Sequence, residues 1–267
     1  MSEAMTPTPV GIVLVGTGNV ASHLAAALAA APGFCLTAIA NRSLDSARSL
    51  AAAVGSKAMA FGDIASTSPD IVIVSVADAA IARVAEEIGR IPGDPLCLLT
   101  SGTVGMSALA PMSSRVGVLY PLQSFTKGTA VDFSRIPVFT EASDPDSLRM
   151  ADRLASALGM RLHHADENRR RTLHIAGVFA NNFVNILLAE TGRILGADGL
   201  PLDVVEPLVR ATVDKAFEIG PEAAQTGPAR RGDSEVMRSQ EQRLPDDLRP
   251  VYRTLSKLIT DSYKNDR

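Results

Sequence analysis

The apolar residues of the chain follow two different rhythms. Up to about residue 165, short apolar runs rich in β-branched residues alternate with segments of helical spacing. The run at 10–15 is continuous and ends in glycine, which predicts a strand buried on both faces. Similar runs at 34–40, 57–61, 71–76, 95–100, 115–120, 136–140 and 161–164 predict seven more strands. Helical spacing lies between many of them, at 21–28, 44–54, 79–89 and 145–158. Strand and helix alternating over short connections predict an α/β fold, a Rossmann-type doubly wound and mostly parallel sheet, assigned to residues 1–165.

From Glu167 onward no strand-like run remains, and residues 166–267 read as an all-helical second domain. A helix is predicted from about 172 to 195, punctuated at its end by Gly196, Gly199 and Pro201. It is too long and too apolar for a surface helix, so burial on most sides is expected. Within it His174, Asn181 and Asn185 are seven and four residues apart, which places them on one stripe. Polar groups on a buried stripe require partners or a wet cleft. A helix at 201–219 and two closing helices at 234–242 and 245–262 flank a loop at 224–233. That loop carries a Gly-Pro break and the adjacent Arg230 and Arg231. It is either a solvated basic loop or a grip for an anionic group.

Composition narrows the function classes. With 46% hydrophobic and 21% charged residues the chain is an ordinary globular sequence, and its net charge of −3 supplies no field for nucleic acid or acidic lipid. Trp is absent and aromatic residues are 4%, against a base-stacking surface. Residues 1–9 lack a signal-peptide core and are expected as a short disordered tail, and no apolar run is expected to span a bilayer. The two cysteines, Cys35 and Cys97, have no metal-ligand spacing and are expected as buried, reduced thiols of a cytoplasmic protein. No metal site is expected.

Candidate chemistry concentrates after the first strand. Gly16-Thr17-Gly18-Asn19-Val20-Ala21 is a strand–turn–helix fingerprint in which backbone N–H groups and the helix dipole meet a pyrophosphate. Gly16 permits the turn, Gly18 admits the phosphate, and Ala21 packs helix on strand. At the end of the second strand stand Asn41-Arg42-Ser43, where an NAD site would carry an acid. An arginine there suits the 2′-phosphate of NADP, and Ser43 also caps the next helix. Val76 closes the fourth strand and Ala77 and Asp78 follow it; the three are candidate floor residues beneath the cofactor, with Asp78 preferred as a helix N-cap.

Taken together, the glycine turn, Thr100-Ser101-Gly102-Thr103, Tyr120-Pro121-Leu122-Gln123-Ser124-Phe125, the His174 to Asn185 helix and Thr226-Gly227-Pro228-Ala229-Arg230-Arg231-Gly232-Asp233 carry a resemblance. The chain resembles Rossmann-like NADP oxidoreductases that have a helical C-terminal domain of uncharacterised function. More distantly it is similar to pyrroline-5-carboxylate reductases, ketopantoate reductases and β-hydroxyacid dehydrogenases. The resemblance implies NADP as cofactor, a helical domain that dimerises, and a cleft between the two domains for a small-molecule substrate. β-Hydroxyacid dehydrogenases place a catalytic lysine one helical turn before an Asn-Asn pair. Asn181-Asn182 match the pair, but Val178 stands at the lysine position.

The expected reaction is reduction of a small carbonyl or imine, or oxidation of a hydroxy acid. His174 is the expected general acid, because its ordinary pKa lies near neutrality. Asn181 would orient the substrate, Ser101 or Gln123 would bind its polar end, and Asn185, Arg230 and Arg231 would line the substrate side. A hydrogen-bonded core histidine is the bland alternative for His174. Loss of the lysine leaves open a protein that binds NADP without turnover, as a sensor or partner subunit.

Overall fold

The computed structural model describes residues 8–264; the tail expected at the N-terminus falls largely outside them. The chain forms two compact units, Met1–Asn182 and Phe183–Arg267.

The first unit is built on an eight-stranded sheet in the order β3-β2-β1-β4-β5-β6-β7-β8. The strands are β1 (Val10–Val15), β2 (Phe34–Ala40), β3 (Lys57–Met59), β4 (Ile71–Val74), β5 (Leu96–Leu99), β6 (Val116–Pro121), β7 (Pro137–Ala142) and β8 (Arg161–His164). Every neighbouring pair is parallel except β6 with β7. β4, β5 and the part of β1 from Ile12 onward are fully buried, as their unbroken apolar runs require. Strand order reverses direction between β1 and β4, so a crevice opens beyond their carboxyl ends.

Helices α1 (Asn19–Ala29), α2 (Leu44–Val54), α3 (Ile81–Ile88) and α4 (Pro145–Ala157) flank the sheet. Two apolar layers result. One joins Ile12, Leu14, Leu24, Leu28 and Ile73 with Leu154 of α4. The other joins Val13, Val15, Val72, Val74 and Leu99 with Ile81 and Val84 of α3. Sequence alternation within strands explains the division, since successive side chains point to opposite faces. Cys97 lies in the second layer, and burial pushes its thiol up to about 12. Cys35 departs from expectation: β2 alternates at its start, and Cys35 falls on the outward, exposed face.

The long helix also differs from the sequence reading. It runs continuously over Glu167–Ala197, as α5 (Glu167–Gly177), a π-helical turn (Val178–Phe183) and α6 (Val184–Ala197). By length and composition it could cross a membrane, which overturns the expectation that no run is long enough. Its apolar window is not buried within this chain, so the expectation of burial on most sides is overturned as well. Its N-terminal turns belong to the sheet unit, where Arg170 is fully buried.

The second unit continues with α7 (Glu206–Ile219), two single-turn helices α8 (Pro221–Ala224) and α9 (Pro228–Arg231), then α10 (Ser234–Arg243) and α11 (Arg249–Ser262). The segment expected as a loop at 224–233 thus winds into α9. Gly227 at φ 107° opens that turn and Gly232 at φ 74° closes it. Polar contacts tie the unit together, including Arg193 with Asp247 at 2.7 Å and Tyr252 with Gln240 at 2.7 Å. Large apolar side chains remain exposed, among them Leu208 at 68% and Phe217 at 90%.

Candidate active site

The glycine turn sits at the carboxyl end of β1. Gly16 has φ 111°, and a Cβ there would lie 2.2 Å from the Ser75 carbonyl oxygen, so glycine is required twice over. Gly18 occupies the N-cap position of α1, and no side chain caps the first turn. A Cβ on Gly18 would meet nothing within 4 Å. The surface before Asn19 and Val20 is therefore open, and the helix presents uncapped N–H groups to it. Ala21 is fully buried against the sheet.

At the end of β2, the Asn41 amide donates to Thr17 Oγ1 at 3.2 Å, tying the two strand ends together. Ser43 caps α2 by accepting from the Ser46 N–H. Arg42 is exposed and, among the described residues, makes no hydrogen bond or ion pair. An uncapped helix start, an open glycine face and a free guanidinium at the end of β2 fit a dinucleotide with a 2′-phosphate.

Beyond β4, Val76 is half-buried, and Ala77 and Asp78 are exposed. Asp78 is not a helix cap. Its carboxylate accepts from Thr103 Oγ1 at 2.5 Å, joining the β4 end to the loop after β5. In that loop Ser101 is buried, and its Oγ accepts from the N–H groups of Thr103 at 3.1 Å and Val104 at 3.0 Å. Ser101 thus shapes the loop through its own hydroxyl.

Two residues to which the sequence reading gave no role of their own appear here. Tyr120, buried at the end of β6, places its hydroxyl 3.3 Å from His174 Nδ1 on α5. Burial raises the pKa of the phenol, the Asp78 carboxylate raises it further, and the Arg170 guanidinium opposes both. Gly102 makes the pair possible. A Cβ there would lie 2.7 Å from His174 Nδ1 and 2.8 Å from Tyr120 Cζ. The sequence held one faint signal, a phenol closing an otherwise apolar strand just before Pro121.

Tyr120, Gln123, His174, Asn181 and Asn182 line one cavity of about 360 Å³, with Leu122, Leu173 and Val178 as apolar wall. The structure therefore brings together three predicted residues, His174, Asn181 and Gln123. The Gln123 side chain accepts from the Ser124 N–H at 2.8 Å. The π turn lies between His174 and Asn185 and breaks the 3.6-residue period on which the single stripe relied. Asn185 belongs to the helical unit and is not part of this lining. Arg230 also belongs there. Its guanidinium stacks 4.1 Å above the Tyr263 ring, which gives it a packing role, while Arg231 is exposed. A larger, open groove of about 1120 Å³ runs between α1, α2 and residues 127–133, touching the turn at Thr17. The smaller cavity holds the phenol–imidazole pair and is the better candidate for chemistry. Among the described residues no cluster could hold a metal ion.

A glycine turn feeding an uncapped helix at the point where strand order reverses defines a dinucleotide-binding Rossmann protein. The family model described as "NADP oxidoreductase coenzyme F420-dependent" matches residues 10–96, and one described as a domain of unknown function, DUF2520, matches 136–259. A Bacteroides fragilis structure described as a putative NADP oxidoreductase is 35% identical, covering 96% of this chain and all of that one, with a TM-score of 0.86. The chain belongs to this NADP oxidoreductase family with its C-terminal domain of unknown function. A Thermotoga maritima protein, 23% identical over 96% of this chain and 99% of that one (TM-score 0.69), shares the fold. So does a 1-pyrroline-5-carboxylate reductase of Streptococcus pyogenes, 14% identical over 97% and 99% (TM-score 0.64). A comparison with curated proteins finds no match.

Proposed function

We propose that the protein is an NADP-dependent oxidoreductase that reduces a small carbonyl or imine, or runs the reverse oxidation of a hydroxy acid. The observation that carries this reading is the Tyr120–His174 pair at the wall of a cavity. Tyr120 closes β6 on the same sheet edge that carries the glycine turn of β1.

The residues around the turn would hold the cofactor: Gly16 to Val20 its diphosphate, Asn41, Arg42 and Ser43 its 2′-phosphate. Bound there, NADPH supplies the hydride. The chain supplies the rest. His174 passes its Nε2 proton to the oxygen or nitrogen that gains charge as the carbon is reduced, while the Tyr120 hydroxyl hands its own proton to Nδ1, so the ring stays neutral and the phenol is reprotonated from solvent. Asn181 and Gln123 bind the polar end of the substrate. The reading needs no lysine at Val178, because the histidine one turn earlier performs proton delivery.

We also assign the exposed apolar face of the helical unit to contact with a second copy of the chain. Leu208 and Phe217, on opposite sides of α7, are both exposed, so the helix carries apolar surface on more than one side and a partner would have to embrace it.

The test is direct. NADPH and NADH are titrated by nicotinamide fluorescence, and a panel of keto acids, imines and aldehydes is screened for NADPH consumption. NADPH is expected to bind more tightly, and Arg42→Ala to weaken it by about 10–100-fold while leaving NADH within twofold, the worth of one charge-assisted phosphate contact. His174→Ala is expected to lose about 10²-fold or more in turnover. Equal affinity for both nucleotides, or full turnover without His174, refutes the assignment.

A further inference from the structure

Arg170 is the most deeply placed charge in the sheet unit, with no exposed surface at all. It stands four residues before His174, on the same face of α5. One Nη donates to the carbonyl oxygens of Ser101 at 3.1 Å and Val104 at 2.7 Å. The other donates to Glu141 Oε2 of β7 at 3.2 Å. The adjacent Arg171 donates through Nε to the Thr103 carbonyl at 3.3 Å and pairs with Glu167 at 2.5 Å. Two consecutive arginines of one helix thus grip three carbonyls of one loop.

That loop contains Gly102, whose lack of a Cβ leaves the space that Tyr120 and His174 occupy. The placement of the loop therefore fixes the space in which the phenol and the imidazole meet. Keeping a guanidinium here is costly, because its Nε is buried with no hydrogen-bond partner among the described residues. A side chain whose task was stability alone would be better replaced by an apolar one of similar volume.

We propose that Arg170 is a positioning residue: it binds the 101–104 loop to α5 so that Tyr120 donates to His174 Nδ1 and the imidazole proton resides on Nε2, facing the cavity. This rests on the reading of His174 as proton donor. The fork geometry matters, since a single ammonium cannot reach two loop carbonyls and the β7 carboxylate together.

The experiment is the long-range ¹H–¹⁵N spectrum of the His174 ring in the full-length protein. Four forms are compared: wild type, Arg170→Met, Arg170→Lys, and Leu154→Ala as a core-destabilised control in the apolar layer that does not contain Tyr120. Wild type is expected to show Nδ1 as an unprotonated acceptor and Nε2 protonated. Both Arg170 variants are expected to shift to a mixture of tautomers like that of a free imidazole, while Leu154→Ala keeps the wild-type pattern despite its lower melting temperature. If Arg170→Met does not fold, Arg170→Lys decides in the same terms. A folded Arg170 variant with the wild-type pattern overturns the proposal, and so does loss of the pattern in Leu154→Ala. NADPH titration of the wild type separates this from the larger reading: absent binding would sink the oxidoreductase assignment and leave the ring spectrum to decide the positioning role.

Discussion

Substituting Gly102 by alanine perturbs the site at one atom. Nothing about the backbone at Gly102 demands glycine through a positive φ, so the effect is purely the volume of a methyl group. The new Cβ would sit 2.7 Å from His174 Nδ1 and 2.8 Å from Tyr120 Cζ. An ordinary contact needs about 3.4 Å, so each ring must retreat by roughly 0.6–0.7 Å. Their hydrogen bond is already 3.3 Å long and does not survive a further separation of that size. Overpacking of this kind costs about 1–3 kcal/mol. For a chain of this size that is a fall of about 2–12 °C in melting temperature, at about 2–4 °C per kcal/mol. Turnover should suffer more, because a donor misplaced by about 1 Å loses on the order of 10²-fold. NADPH affinity should stay within twofold, since the glycine turn is a separate part of the sheet edge. Scanning calorimetry, nicotinamide fluorescence and NADPH consumption read the three effects. A Gly102→Ala protein with unchanged melting temperature and unchanged turnover refutes the argument that the rings meet only because this position has no side chain.

Two other outcomes follow from the geometry. Gly16→Ala combines a positive φ with a Cβ 2.2 Å from the Ser75 carbonyl, which forces β1 from β4; a loss of more than about 3 kcal/mol is expected, read in urea unfolding. Hydrogen bonds from the Ser114 hydroxyl and backbone N–H hold Asp94 down to about 2 from an ordinary value of 3.8. A lowered carboxyl pKa stabilises the fold above the ordinary value and ceases to do so as pH falls toward 2, so Asp94→Asn should lower the melting temperature at pH 7, with the gap to wild type closing between about pH 4 and 2.

The sheet was legible because buried parallel strands carry a signal that survives without any knowledge of their neighbours. Val10–Val15, Phe34–Ala40 and Ile71–Val74 are unbroken or nearly unbroken apolar runs, and the glycines after β1 mark the turn. The site was legible only where chemistry and spacing coincide, as with His174 and Asn181. Tyr120 and Gly102 are 18 residues apart in sequence and each 54 or more from His174, so no local pattern joins them. Arg170 is the middle of three consecutive arginines that nothing in the sequence tells apart, and only tertiary packing shows that it faces inward. The apolar length of the same helix misled in the other direction. Periodicity reports what a helix would bury, not whether a single copy of the chain supplies the cover.

The reversal of β7 has a consequence for how such a protein changes over generations. The parallel links of this sheet must carry the chain back across its full height, which constrains their length. The connection at 122–136 has no such duty, for it leaves β6 and re-enters β7 on the same edge, where Gln123 and Ser124 face the cavity. Lengthening a connection costs only on the order of half a kcal/mol per doubling. Insertions there could remodel the pocket wall while the sheet keeps its register, giving this frame a place to acquire new ligand preferences.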